Sequence, residues 1–564
     1  MTADGRIRAA LRHPVSAALL LAVVLHLLWV TLVANDGGDL AAQDAWAEFA
    51  GRHPGSAYNL AWYGGMHPVS YSVISPYLMA AIGVRSTLAV AGVLSSGLLA
   101  WILARSPLQR PLLPALAGAV AMVCNAASGR VTFALGMLFA LGAVAVVWAW
   151  PRRWAHWRRS RGTAAFVLAA LATAGSPVAG LFLWVVAGAL LLARRRQAAC
   201  ALALAPPIVV ALSAWLFPFQ GVQPMPWDST VFPVFTALAV FGFAPREWRA
   251  VRLSAAIYAA GTVLTWAIPS QVGSNVERMG LMFGAVVLLA VLLERRPDLT
   301  ARRRAALLLA LSVVVGWQFY KPVWDVVKTT PDAAWARELA PLVDRLKQEE
   351  AERGRVEVVP ARSHREASAL APYVNLARGW NRQADTDRNP LFYDKTLTSE
   401  SYHAWLQRWA VRFVVLPHDE PDGAGRGEAR IVRAGPPYLH KVWSDANWEL
   451  YRVVDPTPLA EPPAEVERAA AGEVKVTVRD KGRVLVRIPW SPWLGLVDVD
   501  GERIAPPGAG QPNEFGCLRS AEPVSAAGAD GATDTWTLLE APGPGTYRIA
   551  APYRLPRGTP CPDG

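Results

Sequence analysis

The sequence predicts a polytopic α-helical membrane region followed by a water-facing α/β region and a β-sandwich. Three observations predict it. Residues 1–320 are mostly apolar runs broken by short Arg clusters, whereas 321–564 have the composition of an ordinary soluble chain. Many of the apolar runs approach the length that crosses a bilayer. Beyond residue 470 the pattern changes to strict alternation: Val474, Val476 and Val478, then Val484, Val486 and Ile488, are separated by polar residues. At 564 residues the chain also exceeds one ordinary domain.

The first span is expected over 15–34. Arg6, Arg8 and Arg12 before it resemble the start of a signal peptide. The run is nearer spanning length and lacks a convincing small-residue cleavage pattern, so it reads as an uncleaved helix. A loop over 35–77 follows, longer than connection requires, and such loops are usually functional. It carries Asp36, Asp39, Asp44 and Glu48, in a half of the chain otherwise short of carboxylates. Within it, 40–50 reads as an amphipathic helix. Ala42, Trp46 and Phe49 share one face and Asp44 and Glu48 the other, so the helix is expected on the membrane surface with its aromatic side down. Residues 71–83 are apolar but too short to span. They read as a second surface or re-entrant piece, leading into a span near 86–104.

Further spans are expected near 112–127, 131–150, 163–175, 177–193, 198–216, 231–244, 253–268, 279–293 and 305–320, about eleven in all. Arg distribution tests the topology. With the N-terminus cytoplasmic, the inner segments hold about 21 Arg, and the outer ones about four, Arg52, Arg85, Arg130 and Arg278. Trp148, Trp150, Trp154 and Trp157 flank one inner boundary, as an interfacial belt does. An odd number of spans puts the C-terminal part outside the cytoplasm, together with the acidic loop. The net charge of +12 therefore orients spans and does not point to nucleic acid.

The soluble part divides at the Pro-rich linker 455–463. Residues 321–460 mix helical pattern with one buried strand over 412–417, an α/β domain. Residues 470–555 alternate as a β-sandwich, with Asp500-Gly501 as a hairpin turn and later strands near 535–539 and 546–550. Cys124 and Cys200 fall in apolar spans and read as core residues. Cys517 and Cys561 are candidates for a disulfide if this part lies outside the cytoplasm. No CxxC or HExxH spacing is present.

As drawn, the span interiors contain no Asp, Glu or Lys. Coupled transporters usually need such groups near the midplane, so this argues against one. The polar groups cluster at outer ends: Asp39, Asp44, His67, Arg130, Asp228, Asn275, Glu277, Arg278 and Lys321.

Gly38-Asp39-Leu40, a short helix, Trp62-Tyr63-Gly64-Gly65-Met66-His67-Pro68 and Ser75-Pro76-Tyr77-Leu78 together resemble the first extracytoplasmic loop of the GT-C superfamily of membrane glycosyltransferases. The likeness is nearest to bacterial membrane proteins labelled 6-pyruvoyl-tetrahydropterin synthase-related. Gly273-Ser274-Asn275-Val276-Glu277-Arg278 resembles a later outer loop of that group. So do Arg378-Gly379-Trp380-Asn381-Arg382-Gln383 and Asn389-Pro390-Leu391-Phe392-Tyr393. The resemblance covers about 15–420, and its motifs are degenerate. The β-rich tail is more loosely similar to terminal domains of some multi-spanning glycosyltransferases.

The resemblance implies sugar transfer from a polyprenyl-phosphate donor to a glycan or lipid acceptor in the cell envelope, at the plasma membrane. An acidic residue must take the acceptor's proton, and cations must stabilise the departing phosphate. Asp39 matches the family's loop acid; its other reading is a helix N-cap. Asp36 and Asp44 are the alternatives. Arg278, with Asn275 and His67, is the candidate phosphate site; Arg278 reads equally as a snorkelling side chain paired with Glu277 or lipid headgroups, and His67 as a structural histidine. Arg130 is a further cation. Tyr63 and Trp62 suit sugar stacking or an interfacial role. Arg382, with Gln383 and Asp385, is placed to roof the site from the soluble part. No cofactor is firmly implied, although Asp36, Asp39 and Asp44 offer ligands for a divalent cation. The competing functions are a transporter or flippase for an envelope lipid or small solute, and a non-catalytic assembly protein.

Overall fold

The computed structural model describes residues 13–34, 37–70, 72–150, 158–295, 299–330, 334–508, 513–521, 524–525 and 533–562. The chain forms two compact units. One comprises Met1–Asn35 and Ser70–Lys328, the other Asp36–Val69 and Thr329–Gly564.

The first unit is helical. After α1 (Pro14–Leu28), extended by a π-turn over Trp29–Val33, and a short helix that belongs to the second unit, α2 (Asp39–Arg52), come α3 (Ser75–Ile82), α4 (Val84–Arg105), α5 (Leu112–Ala127) and α6 (Val131–Trp148). They are followed by α7 (Arg158–Gly175), α8 (Pro177–Leu192), α9 (Arg196–Ala203), α10 (Ala205–Leu216), α11 (Asp228–Phe243), α12 (Arg249–Ala267), α13 (Glu277–Leu293) and α14 (Ala301–Thr329). Among the described residues, seven helical stretches are long and apolar enough to cross a membrane, and three shorter helices, α5, α8 and α11, are also apolar. The expected eleven spans are thus met at seven positions by length and composition. The single span expected over 198–216 is one apolar stretch of two helices joined at Leu204, which keeps right-handed helical geometry; Pro206 and Pro207 have no N–H to continue the hydrogen-bond ladder across it. The last helix runs on to Thr329, beyond the expected end at 320.

Small residues close the helix contacts. A Cβ on Gly136 of α6 would lie 2.8 Å from Ser176 Cβ and 2.9 Å from both the Ala172 carbonyl and Ala179 Cβ. Only glycine permits that approach, the usual device of membrane helix pairs. Large apolar side chains such as Leu27, Leu32, Trp215, Leu238 and Leu309 point outward, as expected where lipid replaces water.

The second unit holds α15 (Ala340–Gln348), α16 (Arg365–Leu370), α17 (Arg382–Arg388), α18 (Ser399–Arg408) and α19 (Gly425–Arg433) around a four-stranded sheet. Its strands are β1 (Arg355–Val358), β2 (Val411–Pro417), β3 (Leu439–Ser444) and β4 (Trp448–Val453), in the order β1-β2-β4-β3. The β1–β2 pair is parallel, and the other pairs are antiparallel. The tail forms two antiparallel sheets. One orders β5 (Ala464–Ala469), β6 (Glu473–Val478), β13 (Gly545–Ala550) and β8 (Gly495–Val497) as β5-β6-β13-β8. The other orders β7 (Gly482–Pro489), β12 (Trp536–Ala541) and β9 (Cys517–Ser520) as β7-β12-β9. A two-residue pair, β10 (Val524–Ser525) and β11 (Thr533–Asp534), stands apart. The alternating Val474, Val476, Val478, Val484, Val486 and Ile488 are all buried. Cys517 and Cys561 form a disulfide with Cα atoms 4.9 Å apart.

Helix α2 corrects the reading of a helix lying on a membrane surface. It packs against α16, and Leu40, Ala41, Gln43, Ala45, Trp46, Phe49 and Ala50 are all buried. The chain after it is stitched in by backbone bonds: Ala57 N–H donates to Ala551 O (2.7 Å), Leu60 N–H to Ala471 O (2.9 Å), and Leu376 N–H to Ala61 O (3.0 Å). Most of the segment after the first span, Asp36–Val69, is therefore part of the second unit.

Candidate active site

In the first unit, the end of α5, the start of α6, the first turn of α13 and the late part of α14 line a narrow crevice with about 10 Å3 of space open to water, room for a single water molecule. Asn125, Ser128, Arg130, Arg278, Gln318 and Lys321 give its polar wall, and Ala121, Leu281 and Met282 its apolar one. Arg130 precedes α6 and pairs at 3.8 Å with Asp325. Lys321 Nζ pairs at 3.2 Å with the buried Glu277. Glu277 thus serves Lys321, and the Arg278 guanidinium lies 5.2 Å from the Phe133 ring centroid, a cation–π contact. Asn125 donates through Nδ2 to Arg130 O (3.4 Å), while its buried Oδ1 has no hydrogen-bond partner among the described residues. Arg130, Arg278 and Lys321 thus stand around an amide whose acceptor is unmet. That combination suits an anionic group carrying a hydroxyl nearby.

Asn275 sits in the 3-10 turn Gly273–Val276, half-buried and outside the cleft wall. The cleft instead uses Asn125 and Gln318, which sequence reasoning passed over. The signal was present: each is an amide inside an apolar run, and polar groups there are costly unless used.

In the second unit, Asp39 is the first residue of α2 and is half-buried. Gly38, at φ +64°, holds the N-cap position, so Asp39 is not the cap. Its carboxylate is in the first turn, where the helix dipole favours negative charge. The Gly38 N–H donates to Ser363 O (2.6 Å). That contact sets the start of α2 beside the segment carrying His364. The His364 ring stacks on Trp380 at 3.4 Å, and the Arg382 guanidinium lies 5.1 Å from the same Trp380 ring. Arg382 also reaches Tyr393 Oη (2.9 Å) and Asp422 (3.4 Å). Burial would raise the Asp422 carboxyl, but His364, Arg382 and backbone amides outweigh it and hold it below its ordinary value.

The motif around Arg378 is a structural hub. Its guanidinium donates to Glu357 at 2.8 and 2.5 Å, pairs with Glu428, lies 3.9 Å from Asp385, and rests 3.9 Å from the Phe392 ring centroid. All four charged groups are buried. Burial pushes the Glu357 carboxyl well up and that of Glu428 up, with Arg378 opposing both shifts.

Two further expectations are corrected. Tyr63 is fully buried at φ 53°; its hydroxyl donates toward Gly379 O and Asn381 O and accepts from Asn381 N–H. It has no face to offer a sugar, and Trp62 is equally buried. His67 is buried, and its Nδ1–H donates to Ala57 O (2.7 Å). That leaves Nε2 to accept from Ser491 Oγ (3.1 Å). Both nitrogens are occupied, so the ring is not a phosphate ligand in this arrangement. Burial, then the nearby Arg388 and Arg557, take its pKa down to about 4 against the pull of the Ala57 bond.

Asp44 is half-buried on α2, and Asp36 lies outside the described residues. Among the described residues, the one His, Cys, Asp or Glu group close enough to share a metal ion is Cys517, Glu540 and Cys561. Its cysteines are joined to each other, and neither Asp39 nor Asp44 belongs to it.

Residues 461–564 match the family model of a domain of unknown function, DUF8823. No curated protein matches the chain. Among solved structures, the chain is similar to the arabinofuranosyltransferase AftD from mycobacteria, at 15% identity and a TM-score of 0.45, over 78% of this chain and 40% of that one. The chain therefore spans less than half the length of that protein.

Proposed function

We propose that the chain is an integral membrane glycosyltransferase that passes a sugar from a polyprenyl-phosphate donor to an acceptor hydroxyl of the cell envelope. The observation that carries this reading is the cleft in which Arg130, Arg278 and Lys321 converge beside Asn125 and Gln318. Guanidinium groups bind phosphate in two-point fashion, and fixed cations stabilise charge building on a leaving phosphate. Apolar helix surfaces beside the cleft suit a lipid tail. Asp39 accepts the acceptor's proton as its oxygen attacks the anomeric carbon and the carbon–oxygen bond to phosphate breaks. The full reading has eleven spans and an N-terminus in the cytoplasm, with the acidic loop and soluble part outside. The Arg asymmetry supports that sidedness. The Cys517–Cys561 disulfide does so too, because such bonds persist in oxidising compartments.

Purified protein given a polyprenyl-phosphate sugar and an envelope glycan acceptor tests both roles separately. Asp39→Asn is expected to lower turnover by about 10²–10⁴-fold at unchanged stability. Arg278→Ala is expected to lower it by about 10²–10³-fold. Full turnover in Asp39→Asn removes that carboxylate from the chemistry. Unchanged donor use in Arg278→Ala removes the cleft.

A further inference from the structure

The β-sandwich carries a row of like charges that its own fold does not explain. Arg468 on β5 is in register with Lys475 on β6, and Lys475 with Arg548 on β13. Val474 and Val476, on either side of Lys475, face the core, so the three cations share the outward face. Like charges directly opposite one another destabilise a sheet. The nearby acids relieve little of this. Glu473 pairs with Arg548 (2.8 Å), Glu465 with Arg479 (2.5 Å), and Glu467 accepts from the hydroxyls of Thr477 and Thr546. Among the described residues, Arg468 and Lys475 have no carboxylate partner.

Arg468 also lines an open groove of about 1390 Å3 counting its mouth. About 660 Å3 of it is open to water, within the roughly 300–1,000 Å3 of pockets that hold drug-sized ligands, which is room for a few sugar rings. Its other walls are the chain leaving α2, with Arg52 and His53, and the segment after β13, with Tyr553 and Arg554. Arg52 pairs with Glu48, and Arg554 with Glu502 at 2.8 Å. Tyr553 is half-exposed, and its ring is braced edge-on by Trp493 at 5.6 Å. Glu473 also lines the groove but is taken by Arg548, so a braced aromatic wall stands beside one cation without a carboxylate partner, Arg468, with Lys475 next to it on the strand pair; this suits a ring-shaped ligand that carries negative charge. The disulfide in the same unit marks an oxidising compartment, which disfavours nucleic acid as the polyanion.

We propose that this groove binds an acidic glycan, a saccharide chain bearing carboxylate or phosphate groups. The site is separate from the cleft of the helical unit and does not depend on the transferase reading.

The test uses the full chain in nanodiscs of zwitterionic lipid and labelled oligogalacturonate, with a neutral malto-oligosaccharide of equal length as control. The expected result is binding of the acidic oligomer, falling with salt, and none of the neutral one. Arg468→Glu and Lys475→Glu are each expected to weaken binding at least about tenfold, and Tyr553→Ala severalfold, with melting temperatures unchanged. Equal binding of both oligomers overturns the proposal, as does undiminished binding in both charge reversals. Anionic-lipid vesicles form the last arm. Failure to displace the glycan supports the site, whereas vesicle binding lost in the same variants, with no glycan binding, assigns the row to headgroups and overturns it.

Discussion

The two units treat charge in opposite ways. In the helical unit, the ion pairs Arg130–Asp325 and Lys321–Glu277 each join a residue at a helix start to one late in α14, and the core is built of Ala, Leu, Met and Phe side chains. The second unit buries Arg355, Arg365, Arg378, Glu357 and Glu428 almost completely. The difference teaches what each solvent permits. Between helices in a bilayer, association depends on close backbone approach, and a stranded charge is costly. In a water-soluble unit, a buried charge survives if its partners are buried with it.

The sharpest way to break this comparison is to remove one partner from the buried network. Arg378→Ala leaves Glu357, Glu428 and Asp385 without their shared cation. The expected cost is about 3–5 kcal/mol, read as a loss of folded second unit in urea titration. Arg378→Lys is expected to rescue little, because one ammonium cannot match the guanidinium's several fixed donors. A near-neutral result for the Ala variant would show that the network is ornamental.

A second test is pH. His67 has an ordinary pKa of 6.5 in the unfolded chain and about 4 when folded. Between those values the unfolded state binds more protons, so stability is full above about pH 6.5 and drains as pH falls toward 4, approaching about 3 kcal/mol. His67→Gln is expected to flatten that part of the denaturation-versus-pH curve. An unchanged slope would remove His67 as its cause.

The smallest effect belongs to the helical unit. Gly136→Val drives a side chain into Ser176, Ala172 and Ala179 and is expected to cost about 1–3 kcal/mol. The measurement is the melting temperature of the detergent-solubilised protein, with the urea transition of the second unit as an internal control. If the second unit's transition falls and the helical one stays, the contrast between the two is wrong.

Much of this architecture is legible in the sequence, because apolar run length and two-residue alternation are local signals. The Val474–Val478 and Val484–Ile488 patterns predict buried strand faces, and those faces are buried. The fate of α2 is not legible. Its many alanines allow burial on almost any side, and its cover comes from α16, more than 300 positions later. For the same reason Tyr63 and His67 read as surface groups, although their partners are Asn381 and Ser491. In the cleft, Arg130, Arg278 and Lys321 stand out as cations beside apolar runs. Asn125 and Gln318 hide inside such runs, where hydropathy averages them away.

The division of the chain bears on how the protein is made. The second unit is made of Asp36–Val69 and Thr329–Gly564, so its earlier piece leaves the ribosome long before its cover exists. Trp46, Trp62 and Tyr63 then wait, with nothing to bury them, until Asn381, Ala471 and Ala551 have been synthesised. A chain stopped after the last apolar helix keeps that aromatic segment naked, which makes it a natural handle for chaperones and quality-control proteases.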